Sequence, residues 1–235
     1  MNRVNTLVAA CTVGLASFQS VAADLEIQVQ NLTQGIYFTP VLVAAHTPDA
    51  SLFELGMAAS SELQAMAEGG DISGLTTVVN SVSGDIGMQS DDGPLTAPGE
   101  TKTFTLTNAD SNSVLSVAAM MLPTNDGFIG LDNWPIPTTA GTYTVYLNAY
   151  DAGTEANDEI RGGGAPGVAG MPVPPPLEGL IGMNGSGVTM EESNMTVHVH
   201  RGNLGDDDAT AGTSDISNTV QRWLNPVAKV TVTVQ

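Results

Sequence analysis

Two acidic stretches hold the residues best suited to bind a cation. The stretch from Met120 to Gly130 carries Asp126, and Tyr150 to Glu155 carries Asp151 and Glu155. Each is an apolar, strand-like run that breaks into a short loop, and one further strand is predicted between them, so the two loops can meet at one end of a sheet. Three carboxylates would repel one another, and calcium binds carboxylate and carbonyl oxygens from flexible loops. Ordinary turn acids remain the alternative, because Asp favours turns.

Other catalytic or metal-binding patterns are weaker. His198 and His200 lie two apart on a predicted strand and so share a face, a spacing that some metal sites use, although an exposed polar face is the commoner explanation. The sequence has no G-x-S-x-G or H-E-x-x-H motif. We therefore expect no enzymatic activity. A secreted hydrolase that uses acidic residues with His198 or His200 is the alternative, because the many acids leave a glycosidase-like carboxyl pair open.

The N-terminal residues predict export. Asn2-Arg3 gives a positive start, an apolar run follows from Leu7 to Phe18, and Val21-Ala22-Ala23 supplies small residues for cleavage. We interpret residues 1–23 as a signal peptide and 24–235 as the mature domain, secreted or periplasmic. A lipoprotein cleavage box ending at Cys11 is disfavoured, because it leaves a short hydrophobic core. Removal of the signal leaves no cysteine, and hence no disulfide.

Charge excludes several partners. The chain has 25 acidic and 6 basic side chains, a formal charge of −19. Nucleic-acid binding needs a basic face, and anionic membrane surfaces are disfavoured for the same reason. No stretch after the signal approaches the roughly 20 apolar residues of a membrane span. An acid-rich or saline source accounts for most of the charge, and cation binding need account for only a few carboxylates.

Alternating hydrophobicity predicts an all-β fold. About eight short strands are expected, at 24–32, 36–45, 75–82, 102–107, 114–122, 142–150, 195–201 and 223–235. One short helix is predicted near residues 61–69, with Ser61 and Gln64 as a capping box and Gly69 as the C-cap, lying across the end of the sheets. Residues 156–193 are rich in Gly and Pro and predict a long irregular loop. The expected fold is a single-domain antiparallel β-sandwich.

The acidic stretches also resemble a known pair of motifs. Met121 to Gly130, Trp134, and Tyr150 to Glu155 are similar in order and spacing to the paired signature of the spondin domain. The first strand, the helix near residue 60 and the closing 226–230 segment resemble bacterial members, so the resemblance covers residues 24–235.

The resemblance implies a C2-like β-sandwich that binds calcium through Asp126, Asp151 and Glu155. The sequence departs from the family at three positions: Gly127 and Tyr150 replace tryptophans, and Glu155 stands where aspartate is usual. The disulfides of animal members are absent. The added methylene of Glu155 would shift or weaken coordination.

Animal spondin domains act in matrix adhesion and in recognition of cell-surface or microbial ligands. We accordingly expect an exported, calcium-binding, monomeric domain that binds a cell-surface or matrix ligand, either protein or polysaccharide. A purely structural matrix component and the hydrolase with His198 or His200 are the alternatives.

Overall fold

Two antiparallel sheets form the framework of the chain, and a computed structural model describes residues 24–108 and 111–235. The predicted signal peptide, residues 1–23, lies outside the described residues. The strands are β1 (Asp24–Asn31), β2 (Tyr37–Phe38), β3 (Leu42–His46), β4 (Asp85–Ile86), β5 (Met88–Gln89), β6 (Thr101–Thr107), β7 (Val114–Leu122), β8 (Gly127–Pro135), β9 (Gly141–Leu147), β10 (Ala149–Asp151), β11 (His198–Val199) and β12 (Ala228–Val234). The helices are α1 (Ser61–Gly69), α2 (Ser73–Ser81) and a 3-10 turn at Pro175–Leu177. Among the described residues, neither α-helix has the length and apolar character needed to cross a membrane.

The sheets confirm the predicted all-β sandwich. The first has the strand order β5-β6-β1-β12-β9, and the second has the order β11-β10-β8-β7-β3-β4, with β2 also pairing with β7. The last strand, β12, is inserted between β1 and β9, with Val230 opposite Val29 and Val145. Because β12 is central to the first sheet, the fold needs both ends of the described chain.

Strand β7 is the centre of the second sheet, and all nine of its residues are buried. Its alternate side chains face two different apolar layers. Leu115 and Val117 belong to the core between the sheets, whereas Ala118 and Met120 pack in a second core beneath the helices. Both faces of β7 are therefore covered, which explains its continuous apolar sequence.

Helix α1 forms near the predicted position, but its caps and its placement differ from the prediction. Ser60 is the N-cap and accepts a hydrogen bond from the Leu63 backbone N–H at 3.1 Å, and Gly70 is the left-handed C-cap. Gln64 donates to Glu68 instead of closing a capping box. The helix does not cross the end of the sandwich, because its buried residues pack in the core on the outer face of the second sheet.

A second helix replaces a predicted strand, so the expectation of one helix and of a strand at 75–82 was wrong. Leu75 and Val79 lie one turn apart on α2 and are both buried in the core beneath the helices. The Thr76 hydroxyl bonds the Ile72 carbonyl one turn back, which accommodates a β-branched polar residue in a helix. Tertiary packing here outweighs the strand preference of the Thr and Val residues.

Strand β8 was also missed, since no strand was predicted for residues 127–135, of which 127–130 were interpreted as part of an acidic stretch. They pair with β7 instead, with Phe128 opposite Met120. The prediction for residues 156–193 was confirmed: the structure describes this segment throughout and gives it only the 3-10 turn and isolated bridges such as Arg161–Met171.

Candidate functional site

Adjacent strands bring the two acidic loops together at one end of the second sheet. Asp126 immediately precedes β8, and Asp151 is the last residue of β10. The strands are antiparallel neighbours in which Asp151 lies opposite Gly127. The Ala152 backbone N–H also donates to the Asp126 carbonyl at 3.3 Å. The loops therefore meet as the sequence predicts, although two strands, β8 and β9, lie between Asp126 and β10 where one was expected.

Asp126 is fully buried, and its two carboxylate oxygens have different surroundings. Oδ2 accepts hydrogen bonds from the Thr154 backbone N–H at 2.8 Å, the Thr154 hydroxyl at 3.2 Å and the Glu155 backbone N–H at 3.2 Å. Oδ1 is buried without a hydrogen-bond partner. Burial, followed by repulsion from the Asp151 carboxylate, raises the pKa of Asp126 to about 8. Such an oxygen needs either a proton or a cation, because an unpaired buried charge is strongly destabilising.

Asp151 is buried beside it and is better supplied with donors. Oδ1 accepts from the Gly153 backbone N–H at 2.8 Å, and Oδ2 accepts from the Asn157 side-chain amide at 2.6 Å. Burial nevertheless raises the pKa of Asp151, and the hydrogen bonds from Asn157 and Gly153 oppose that shift. The two aspartates form the centre of the candidate site.

The Glu155 side chain is engaged elsewhere. Its Oε1 accepts from the Asn125 amide at 2.9 Å and also from the Gly170 backbone N–H. Burial raises the pKa of the Glu155 carboxyl. This carboxylate therefore ties the long loop to the turn before β8, while the Glu155 backbone supports Asp126. Its role as a metal ligand stays a prediction.

The two histidines approach Asp151, which the spacing alone could not reveal. Nε2 of His198 lies 3.8 Å and Nε2 of His200 lies 4.0 Å from Asp151 Oδ2. His200 is only 3% exposed, so the expectation of an exposed polar face was wrong for this residue. Its ring lies 4.9 Å from the Trp223 ring, between centroids. Burial lowers the pKa of His200 to about 3, which keeps the imidazole neutral.

The tautomer of His200 follows from its hydrogen bond. Nδ1 accepts from the Gly202 backbone N–H at 2.9 Å, so the proton of the neutral ring resides on Nε2. That Nε2 is buried without a hydrogen-bond partner. A ring nitrogen that carries a proton cannot ligate a metal. His200 Nε2 is therefore a hydrogen-bond donor that faces Asp151, and it is not available as a metal ligand.

Among residues 24–108 and 111–235, no three His, Cys, Asp or Glu side chains are grouped so as to hold a metal ion. Asp126 and Asp151 would need carbonyl, amide or water oxygens to complete a coordination shell. Calcium accepts such ligands readily, whereas zinc prefers nitrogen and sulfur. The unpartnered Asp126 Oδ1 and this oxygen-rich donor set fit calcium.

Three polar residues of the site were missed from the sequence. Asn157 bonds Asp151, Thr154 bonds Asp126, and Asn125 bridges several loops: its amide donates to Glu155 and Asp158, at 2.9 and 2.8 Å. Asn125 is also 1% exposed. A polar residue next to an acid is ordinary in a turn, so no sequence signal separates these three from surface turn residues.

A serine–histidine–aspartate contact lies elsewhere in the second sheet. Ser116 Oγ is 2.8 Å from His46 Nε2 and donates to Asp132 Oδ1 at 3.2 Å. Ser116 and His46 are both fully buried, and His46 Nδ1 contacts the Thr47 carbonyl instead of the aspartate. No substrate can reach this serine, and the aspartate does not orient the histidine as a catalytic triad requires. The cluster is structural.

These observations define an antiparallel β-sandwich in which two neighbouring strands carry buried aspartates at one sheet end. The family model of Spondin_N matches residues 30–160, which include the end of β1, all of β2 to β10 and both acidic loops. The match covers more than half of the chain, and the protein belongs to the Spondin_N family. A search of curated proteins returned no match.

Proposed function

We propose that this protein is an exported, calcium-binding recognition domain in which Asp126 and Asp151 hold the ion. The observation that carries the proposal is the Asp126 carboxylate, fully buried with Oδ1 unpartnered and another buried carboxylate beside it. Few arrangements other than a bound cation allow both acids to be ionised near neutral pH.

The surrounding backbone is arranged to position these carboxylates. The N–H groups of Thr154 and Glu155 hold Asp126 Oδ2, and that of Gly153 holds Asp151 Oδ1. The remaining Asp126 oxygen is thereby left available. Bound calcium would supply the positive charge that offsets the repulsion between Asp126 and Asp151. Family resemblance adds Glu155 as a third ligand, which requires its carboxylate to leave Asn125 and Gly170.

The recognition role rests on family membership and on the predicted signal peptide. Spondin_N domains are typically extracellular. We expect the partner to be a cell-surface or matrix ligand, either protein or polysaccharide, and the loops around the acidic pair to present the contact surface. The hydrolase alternative with His198 or His200 would instead use the approach of their Nε2 atoms to Asp151 Oδ2, at 3.8 and 4.0 Å.

Calorimetric titration of residues 24–235 with calcium tests the proposal. We expect saturable binding to the wild type, loss of binding in Asp126→Asn, and unchanged binding in Asp71→Asn. Asp71 is a suitable control because its exposed carboxylate lies just before α2, outside both acidic loops, and accepts a hydrogen bond from the Ser73 backbone N–H. Absence of binding heat, together with an unfolding temperature that chelator does not change, would overturn the metal assignment.

A further inference from the structure

A pocket of about 580 Å³ lies outside the acidic pair, between the β1–β2 turn and the segments at 201–204 and 222–226. Its volume is in the range that accommodates small organic ligands. Its lining combines apolar side chains with two guanidinium groups: Leu32, Leu204, Trp223, Leu224, Arg201 and Arg222. Leu224 is 85% exposed, although a leucine side chain normally gains by leaving water.

The two arginines differ in their engagement. Arg201 donates to the Thr189 hydroxyl at 2.9 Å and to the Asn157 carbonyl at 3.0 Å, and it lies 3.9 Å from Glu159. Arg222 is exposed and forms no ion pair with any described residue. The whole chain has 6 Lys and Arg residues against 25 acids. An unpaired cation beside an apolar cavity is therefore unusual in this protein.

We propose that this pocket binds a small organic anion with an apolar body. The carboxylate or sulfate headgroup pairs with Arg222, whose planar guanidinium matches such oxygens in two parallel hydrogen bonds. The body lies against the leucines and Trp223. Trp223 is only 7% exposed, so it offers a wall and not the open ring face on which a sugar would stack. The acidic remainder of the surface repels large polyanions, which restricts the ligand to a small one.

The pocket uses neither Asp126, Asp151 nor Glu155, so the inference stands apart from the calcium proposal. The inner wall does approach that site, since Trp223 packs on His200. Binding of the organic anion is therefore to be measured both in chelator and in calcium. Binding that is observed in chelator supports the inference whatever happens in calcium.

Tryptophan fluorescence provides a direct assay. The chain has 2 Trp residues, and Trp134→Phe leaves Trp223 as the only reporter. We expect decanoate to change this signal saturably and decanol, the neutral analogue, to bind at least about tenfold more weakly. In the same background, Arg222→Gln should weaken decanoate binding by about tenfold or more. The decanoate affinity of Arg222→Lys should lie between that of Arg222→Gln and that of the protein with Arg222 intact.

Lys229→Gln is the matched control. It removes the same charge from β12, at a residue that does not line the pocket and forms no ion pair with a described residue. We expect it to leave decanoate affinity unchanged. Equal affinity for decanoate and decanol, equal losses in the Arg222 and Lys229 variants, or no saturable signal for the wild-type pocket would each overturn the inference. Circular dichroism of each variant establishes that the fold is retained.

Discussion

Two buried polar clusters of the second sheet use the same residue types in opposite ways. In the first, Ser116 joins His46 to Asp132, and Asp132 also accepts the Ser51 hydroxyl at 2.6 Å and the Leu52 backbone N–H at 2.7 Å. Both ring nitrogens of His46 and both carboxylate oxygens of Asp132 have partners. In the second cluster, Asp126 Oδ1 and His200 Nε2 have none.

The difference separates a structural network from the proposed calcium site. Ser116 lies where the pairing of β7 with β8 shifts register, between Leu115 and Val117. Such an irregularity interrupts the hydrogen bonds between the strands, and the first cluster supplies partners for polar groups that would otherwise lack them. A hydrogen-bonded network of this kind stabilises one backbone arrangement. The second cluster leaves a buried carboxylate oxygen without a partner at a sheet end, and the calcium proposal rests on this observation.

The largest expected effect is on the cluster of Ser116, His46 and Asp132. Ser116→Ala removes the hydroxyl that joins His46 and Asp132, and it leaves the His46 imidazole and the Asn133 backbone N–H without that partner. We expect the free energy of unfolding to fall by about 3 kcal/mol. Urea denaturation in chelator and in excess calcium measures this, and the loss should be the same in both. A loss that calcium reverses would mean that the two clusters are not separate.

Calcium itself should stabilise the protein through the unsatisfied cluster. At a free concentration a hundredfold above the dissociation constant, ligand linkage predicts a gain of about 2.7 kcal/mol in unfolding free energy. Asp151→Ala should remove most of this gain, because it deletes one of the two buried carboxylates. Differential scanning calorimetry with and without chelator measures the change. An undiminished gain in Asp151→Ala would place the ion elsewhere.

The pH dependence of the metal-free protein sharpens the contrast further. The pKa of Asp126 is raised to about 8 in the folded chain, so its contribution to stability is complete near pH 4 and is lost as pH rises towards 8. The contribution of His200 to stability has the opposite pH dependence. The pKa of His200 is about 3 in the folded chain, so this contribution is lost as pH falls below about 6.5, where the unfolded ring takes up a proton. The interval between pH 6.5 and 8 therefore isolates Asp126 from His200.

Over that interval we expect unfolding free energy in chelator to fall by up to about 2 kcal/mol. The raised pKa values of Asp151 and Glu155 act in the same direction. Urea denaturation at intervals of half a pH unit measures the slope. Asp126→Asn should flatten it, and excess calcium should flatten it in the wild type. A stability that rises with pH in chelator would contradict the assignment of a proton to this buried pair.

Local patterns predicted what depends on local physics. The alternation of Leu25, Ile27 and Val29 matches their burial in β1, and the prediction that the loops of Asp126 and Asp151 meet was confirmed. Strand β8 was missed partly because it contains Gly130, since glycine weakens a strand prediction. The fold explains this glycine: a Cβ there would lie 2.6 Å from the Phe53 ring.

The decisive features of the site depend on long-range packing. Whether Asp126 Oδ1 lacks a donor depends on where Thr154 and Glu155 place their N–H groups. The burial of His200 depends on contact with Trp223, which belongs to a segment without regular structure. Residue type and spacing place acids at a sheet end, but they do not determine which oxygen stays unpaired after every loop has packed.

The smallest expected effect concerns Glu155 and decides whether this carboxylate is the third calcium ligand that the resemblance implies. Its Oε1 already accepts from Asn125 and Gly170, and binding an ion would break those contacts. We therefore expect Glu155→Gln to lower calcium affinity by less than about tenfold, a cost below about 1.4 kcal/mol. Asp126→Asn should abolish binding in the same calorimetric titration. A loss in Glu155→Gln as large as that in Asp126→Asn would show that the carboxylate leaves Asn125 when the ion binds, and the contrast between the two buried clusters would then include a movement of the long loop.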